Sequence, residues 1–115
     1  MELTGKCKED FERWYILICL KHSLTYYETA DHYRKIDLKR YYSFNPSMQY
    51  GVYVDFFDSV GVIIGENSTF GYAGRQIFRL YVGINRHQSK VNPHPSTRQE
   101  ARTEAIKKAN EIYNN

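Results

Sequence analysis

Cysteine is scarce in this chain of 115 residues: it has two, Cys7 and Cys19. Both fall in a segment with helical periodicity, where twelve residues at about 1.5 Å each set them roughly 18 Å apart. A disulfide needs Cα atoms within about 7 Å, so the two cannot pair inside one chain. They read as small apolar residues, and a reducing, cytoplasmic setting is expected. Long apolar runs are missing too. The longest, Trp14 to Leu20, is far short of the roughly 20 residues that cross a bilayer. No small-residue cleavage site follows it, and Glu9, Asp10 and Glu12 do not suit the basic start of an export signal. No membrane partner is expected, and the sequon Asn67-Ser68-Thr69 then has no glycan to carry.

The residue patterns of catalysis are also thin. His22, His32, His87 and His94, taken with the two cysteines, lack the paired spacing that zinc requires. Gly71-Tyr72-Ala73-Gly74 lacks the third glycine and the following helix of a phosphate loop and reads as a hairpin turn. No serine or cysteine sits beside a histidine in a nucleophilic arrangement. Asp55 and Asp58 have the three-residue spacing of an acid and base on one helical face, yet the plainer role is a solvated edge or a pair of arginine partners. The expectation is a chain that is not an enzyme, with no cofactor, no metal and no small-molecule substrate.

What the chain has is apolar and aromatic mass: 42% hydrophobic residues, 25% charged, and eleven tyrosines against one tryptophan. That is enough for a single domain over residues 1–115 with a modest core. Thr4 can cap a helix on which Cys7, Phe11, Trp14, Tyr15 and Ile18 recur at steps of four and three, up to about Lys21. Thr25 and Glu28 have the spacing of a capping box for a second, short helix through Tyr33 or Ile36. Residues 37–46 read as an ordered connector ending in Asn-Pro.

Residues 47–60 are rich in aromatic and β-branched side chains, which favours a strand. Their punctuation favours a helix: Ser47 as N-cap, Met48, Val52, Phe56 and Val60 every four residues, and Gly61 where a left-handed residue ends a helix. The helix is preferred, with Gly51 inside it marking a close approach of another backbone. Val60 to Glu66 then forms a strand, residues 67–74 a turn, and Gln76 to Ile84 a second strand with Phe78, Leu80, Val82 and Ile84 on one face and Ile77, Arg79 and Tyr81 on the other. Residues 85–95 read as a polar loop. Thr97 and Glu100 make another capping box, opening a final helix with a stripe of Ala101, Ala105, Ala109, Ile112 and Tyr113. The fold class is α+β, with helices packed on one face of a two- or three-stranded antiparallel sheet. Its order is α-(α)-α-β-β-α, or α-β-β-β-α if residues 50–57 form a strand.

Three blocks carry a likeness: Met1 to Trp14, Tyr50-Gly51-Val52-Tyr53-Val54-Asp55-Phe56-Phe57-Asp58-Ser59-Val60-Gly61, and Thr97 to Arg102 continuing at Asn110 to Tyr113. They resemble small phage or prophage proteins of uncharacterised function. The resemblance implies a genomic setting and brings no activity, cofactor or catalytic residue. With residues 50–57 as a strand, the element order would also be similar to a double-stranded-RNA-binding domain, whose last helix grips phosphates with basic side chains in its first turn. That resemblance gives the role to Arg98 and Arg102. Glu100 and Glu104 among those arginines, and the lack of a recognisable minor-groove loop, depart from the pattern.

Charge is unevenly spread. The whole chain carries +3, which forces no polyanionic partner, but Asn67 to Gln99 contains no acid while Arg75, Arg79, Arg86, Lys90 and Arg98 contribute +5. With Tyr72 and Tyr81 nearby, such a stripe can neutralise phosphates while rings stack on bases. The plainer reading is a solvated face whose arginines pair with Asp55, Asp58 or Glu66. A second cluster interleaves Tyr26, Tyr27, Tyr33, Tyr41 and Tyr42 with Arg34, Lys35, Lys39 and Arg40, more rings than one small core hides. The expected function is a non-catalytic protein-interaction module that engages a protein partner or associates with itself. The alternative is a nucleic-acid-binding accessory protein using region 67–99. The partner-binding candidates are Arg75, Arg79, Tyr81, Arg86, Lys90, Arg98, Arg102, Tyr26, Tyr27 and Tyr33.

Overall fold

The computed structural model describes residues 2–21, 37–70, 76–84, 87–90 and 97–115. In chain order it has helix α1 (Gly5–Lys21), a helical segment α2 (37–42), helix α3 (Pro46–Ser59), strands β1 (Val62–Phe70), β2 (Gln76–Ile84) and β3 (His87–Lys90), and helix α4 (Arg98–Asn114). The strands form one antiparallel sheet in the order β1-β2-β3. Helices α3 and α4 lie against β1 and β2, and α1 packs across α3 and α4. The class is α+β with helices on one face of the sheet. The second expected helix, 25–36, lies outside the described residues.

Residues 46–59 are helical, so the order with a strand at 50–57 does not occur. The third strand comes instead from 87–90, inside the stretch read as a loop. His-Gln-Ser-Lys has little intrinsic strand preference, but backbone pairing from Ile84↔His87 to Tyr81↔Lys90 holds it. From α3 to α4 the order is nonetheless helix, three strands, helix. Strand β1 likewise runs on through residues 67–70, read as a turn, because its ladder with β2 continues to Phe70↔Gln76. Residues 37–42 are helical rather than a connector.

Helix α3 starts two residues earlier than its serine suggests. Pro46 occupies the first turn, where a missing N–H costs nothing, and pushes Asn45 to an extended conformation. Asn45, not Ser47, is the cap: its side-chain oxygen accepts the Met48 N–H at 3.0 Å. The buried face is also out of phase with the four-residue stripe. Tyr50, Tyr53, Phe56 and Phe57 are buried, whereas Met48 and Val60 are 50% and 40% exposed. Large rings bury more apolar area than the methionine and valines they displace. Gly51 is on the exposed side with no atom within 4 Å of where a Cβ would stand, so no backbone passes close to it. Gly61 ends the helix as expected, at φ +85°.

The core centres on Phe11 of α1, which is fully buried. Its ring centroid lies 4.8 Å from Tyr53, 5.1 Å from Tyr41, 5.4 Å from Phe56, 6.0 Å from Trp14 and 6.1 Å from Tyr15. Such pairs add about 0.5–1.5 kcal/mol each beyond simple burial. On α1, Cys7 and Ile16 are buried, while Ile18, expected inward, is 37% exposed. The stripe Ala101, Ala105 and Ala109 is buried on α4, and Val62 and Val82 bring the sheet into the same core.

Candidate interaction surface

The antiparallel register decides which strand residues share a face, because directly paired residues lie on the same side of a sheet. Val62, Ile64, Val82 and Ile84 share the side that meets the helices, where Val62 and Val82 are buried. Alternate positions belong to the other side. On that side Ile63 is 44% exposed while its register partner Gly83 is buried, and among the described residues no helix lies over it.

Three of the ten candidates fall at positions on this second side. Tyr81 is paired with Gly65 of β1 on one flank and with Lys90 of β3 on the other. Arg79 stands two residues away along β2, opposite Asn67. Gly83, two residues the other way, pairs with Ile63 and Gln88. Among the described strand positions none on this face is acidic: Glu66 is paired with Leu80 and belongs to the helix side.

Arg98 and Arg102 belong to the helix layer. Thr97 caps α4 as its spacing indicates, its hydroxyl accepting the Glu100 N–H at 3.1 Å, and this places Arg98 in the first turn and Arg102 one turn on. The Arg102 guanidinium lies over the Tyr50 ring at 4.8 Å, with Nη1 3.5 Å from the Ser47 hydroxyl, so it ties α4 to α3. The cations therefore divide between two layers. Arg75, Arg86, Tyr26, Tyr27 and Tyr33 lie outside the described residues. Of the other tyrosines in that cluster, Tyr41 is buried and donates to the Gln49 carbonyl at 3.1 Å, while Tyr42 is 43% exposed and donates to Glu12 at 2.8 Å.

A constellation absent from the expectations joins the two ends of the described chain. Asn110, 7% exposed on α4, accepts the Thr4 N–H and donates to the Thr4 hydroxyl, each at 2.9 Å. Asn114 accepts the Cys7 N–H and donates to the Thr4 carbonyl, also at 2.9 Å. The unpaired N–H groups at the start of α1 are thus satisfied by side chains from the last turn of α4 rather than by Thr4 itself. Beside this clasp, Asp10 binds Lys6 and accepts the Tyr113 hydroxyl at 2.6 Å. The Lys6 hydrogen bond first and the Tyr113 bond second hold the Asp10 carboxyl below its ordinary 3.8. Burial, reinforced by Asp10, pushes the Cys7 thiol up to about 12, so it is held protonated at neutral pH. Cys19 is half-buried and, like Cys7, free. The i, i+4 spacing of Asn110 and Asn114 beside an alanine stripe was the available signal for the clasp.

No helix among the described residues is long and apolar enough to cross a membrane. The chain matches no protein-family model, no curated protein and no solved structure.

Proposed function

We propose that the chain is a non-catalytic protein-interaction module of a phage or prophage, acting in the cytoplasm, whose docking element is the free edge of β1 and whose occupant is a second copy of the chain. The observation that carries this reading is the sheet order. It leaves β1 at an edge, and among the described residues no strand pairs with its outer side. Edge strands are ordinarily blunted by lysine, proline or brevity. Strand β1 is nine residues long and contains neither residue type. Exposed Val60 and Ile63 lie beside or within it.

Antiparallel strand addition satisfies the outward backbone groups, with apolar pairs fixing the register. A two-fold axis at Ile64 sets Ile64 opposite itself, Ile63 opposite Gly65 and Val62 opposite Glu66. An axis at Glu66 would set two carboxylates opposite each other, which is unfavourable. The test is solution mass by light scattering from micromolar to millimolar concentration. The expected result is a concentration-dependent dimer that Ile63→Lys returns to monomer, with slow amide exchange in β1 that becomes fast in the variant. A monomer at every concentration, with fast exchange along β1 in the parent, refutes the reading.

A further inference from the structure

We infer that the cleft where α1, α2 and α3 meet is a binding site for a small zwitterion of the amino-acid or short-peptide class, its ammonium held at Glu2 and Tyr42 and its carboxylate at Lys8. The cleft measures about 470 Å³ and is lined by Glu2, Leu3, Lys8, Tyr42 and Gln49, a size within the range of small-molecule sites. This goes beyond self-pairing, which uses an edge of the sheet. Leu3, 4% exposed, gives the cleft an apolar wall. The other four residues are polar, and both signs of charge are among them.

Two of the four are fixed in advance. The Gln49 amide donates to the Tyr42 and Phe44 carbonyls at 3.2 and 3.0 Å, which leaves its side-chain oxygen as an acceptor. The Tyr42 ring stands edge-on to buried Tyr41 with centroids 5.1 Å apart, and its hydroxyl donates to Glu12 at 2.8 Å. That bond engages the carboxylate one turn along α1 from Lys8. Among the described residues Glu2 and Lys8, both exposed, take part in no ion pair. Lone charges are ordinary on a surface, but here two of opposite sign line one cleft without meeting. Burial first and the Glu12 hydrogen bond second push the Tyr42 hydroxyl above its ordinary 10.0, and the charges of Glu12 and, more weakly, Glu2 add to the shift. The negative end of the cleft is therefore at Tyr42. An ammonium there gains the Glu2 charge and the face of a half-open ring, while a carboxylate on the same molecule gains Lys8. A simple cation would leave Lys8 unmatched, and a simple anion would leave Glu2 unmatched.

Amide chemical-shift titration of the isotope-labelled full chain tests the site. Glycyl-leucine is expected to shift the Leu3, Lys8, Tyr42 and Gln49 amides with a dissociation constant of about 1 mM, the scale that its few heavy atoms set. Glycyl-leucinamide, which lacks the carboxylate, and N-acetyl-glycyl-leucine, which lacks the ammonium, should each bind roughly three- to fivefold more weakly. Glu2→Gln should weaken glycyl-leucinamide and spare N-acetyl-glycyl-leucine, and Lys8→Gln should do the reverse. Neither side chain makes a hydrogen bond among the described residues, so both variants should fold as the parent does. Free leucine binding as tightly as glycyl-leucine would make the ligand an amino acid, and tighter binding of glycyl-leucine would make it a short peptide; either supports the site. Ile63→Lys should leave every affinity unchanged, so loss of the dimer and loss of the site are visible separately. Three results would overturn the site: no shift with glycyl-leucine at about ten times the expected dissociation constant, equal binding of N-acetyl-glycyl-leucinamide, or an effect of Glu2→Gln and Lys8→Gln that is the same for both singly capped ligands.

Discussion

Replacing Asn110 by Ala tests the claim that the start and end of the described chain are locked together by one buried amide. Asn110 is 7% exposed and makes two hydrogen bonds to Thr4, both 2.9 Å long. Each is worth about 1 kcal/mol net, and leaving the Thr4 N–H without its partner in a half-buried position adds roughly another 1 kcal/mol. The expected loss is therefore about 3 kcal/mol, a large share of the roughly 5–15 kcal/mol that stabilises a domain. An unfolding entropy of about 2.1 cal/mol/K per residue over this length converts that to a fall of roughly 12 °C in Tm. Urea unfolding and a thermal scan read both quantities. A double-mutant cycle with Thr4→Ala isolates the pair and should return a coupling of about 1–2 kcal/mol. Asn110→Ala within about 2 °C of the parent, or a coupling near zero, would refute the reasoning.

Three glycines should respond to alanine with different signs. Gly5→Ala should cost about 1–2 kcal/mol, since Gly5 sits at φ +60° with the Asn114 side-chain oxygen 3.2 Å from the new Cβ; Gly61→Ala, at φ +85°, should cost about 1 kcal/mol. Gly51→Ala, in an exposed helical position with open space around it, should stabilise by roughly 0.5–1 kcal/mol, and urea midpoints check all three. Phe11→Ala, at the centre of the ring cluster and fully buried, should cost about 3–5 kcal/mol and leave a marginal fold by near-ultraviolet circular dichroism. On the acid side, the Asp10 pKa is lowered, so its contribution is complete above the ordinary 3.8 and disappears as pH falls through the lowered value. Asp10→Asn should therefore be less stable than the parent at neutral pH, with the gap closing in urea titrations below about pH 4. On the alkaline side, the hydrogen bond to Asp10 and then burial push Tyr113 from 10.0 up to about 12. Its contribution is complete below the ordinary value and is lost as pH rises towards 12; tyrosinate absorbance should show it ionising late.

Much of the helical layer is legible along the chain because caps and turns are interactions between residues three or four apart. Thr97 and Glu100 open α4 as their spacing indicates, and Gly61 closes α3 in the left-handed conformation. The capping error at α3 has a local cause that was available: Pro46 constrains the residue before it, which makes Asn45 the better cap than Ser47. The buried face of α3 was harder to read. Its sequence contains two apolar phases, and only packing against Phe11 and β1 selects the one with Tyr50, Tyr53, Phe56 and Phe57. Strand β3 was illegible for a related reason, since a four-residue polar segment becomes a strand only when β2 is already in place to pair with it.

The sequence by itself determined the class of fold, the extent of α1, the start of α4, the alternation of β2 and the absence of acid from Asn67 to Gln99, all of which follow from short-range pattern and composition. Tertiary structure alone decided which cations share a surface. Strand register puts positions Arg79, Tyr81 and Lys90 on one side of the sheet, whereas the Arg102 guanidinium lies over Tyr50 on the helix layer. It also decided that Asn110 and Asn114 cap a helix 106 and 107 residues away. Hydrogen bonds and register pairings of that span depend on how the elements assemble in space, and no periodicity along the chain encodes them.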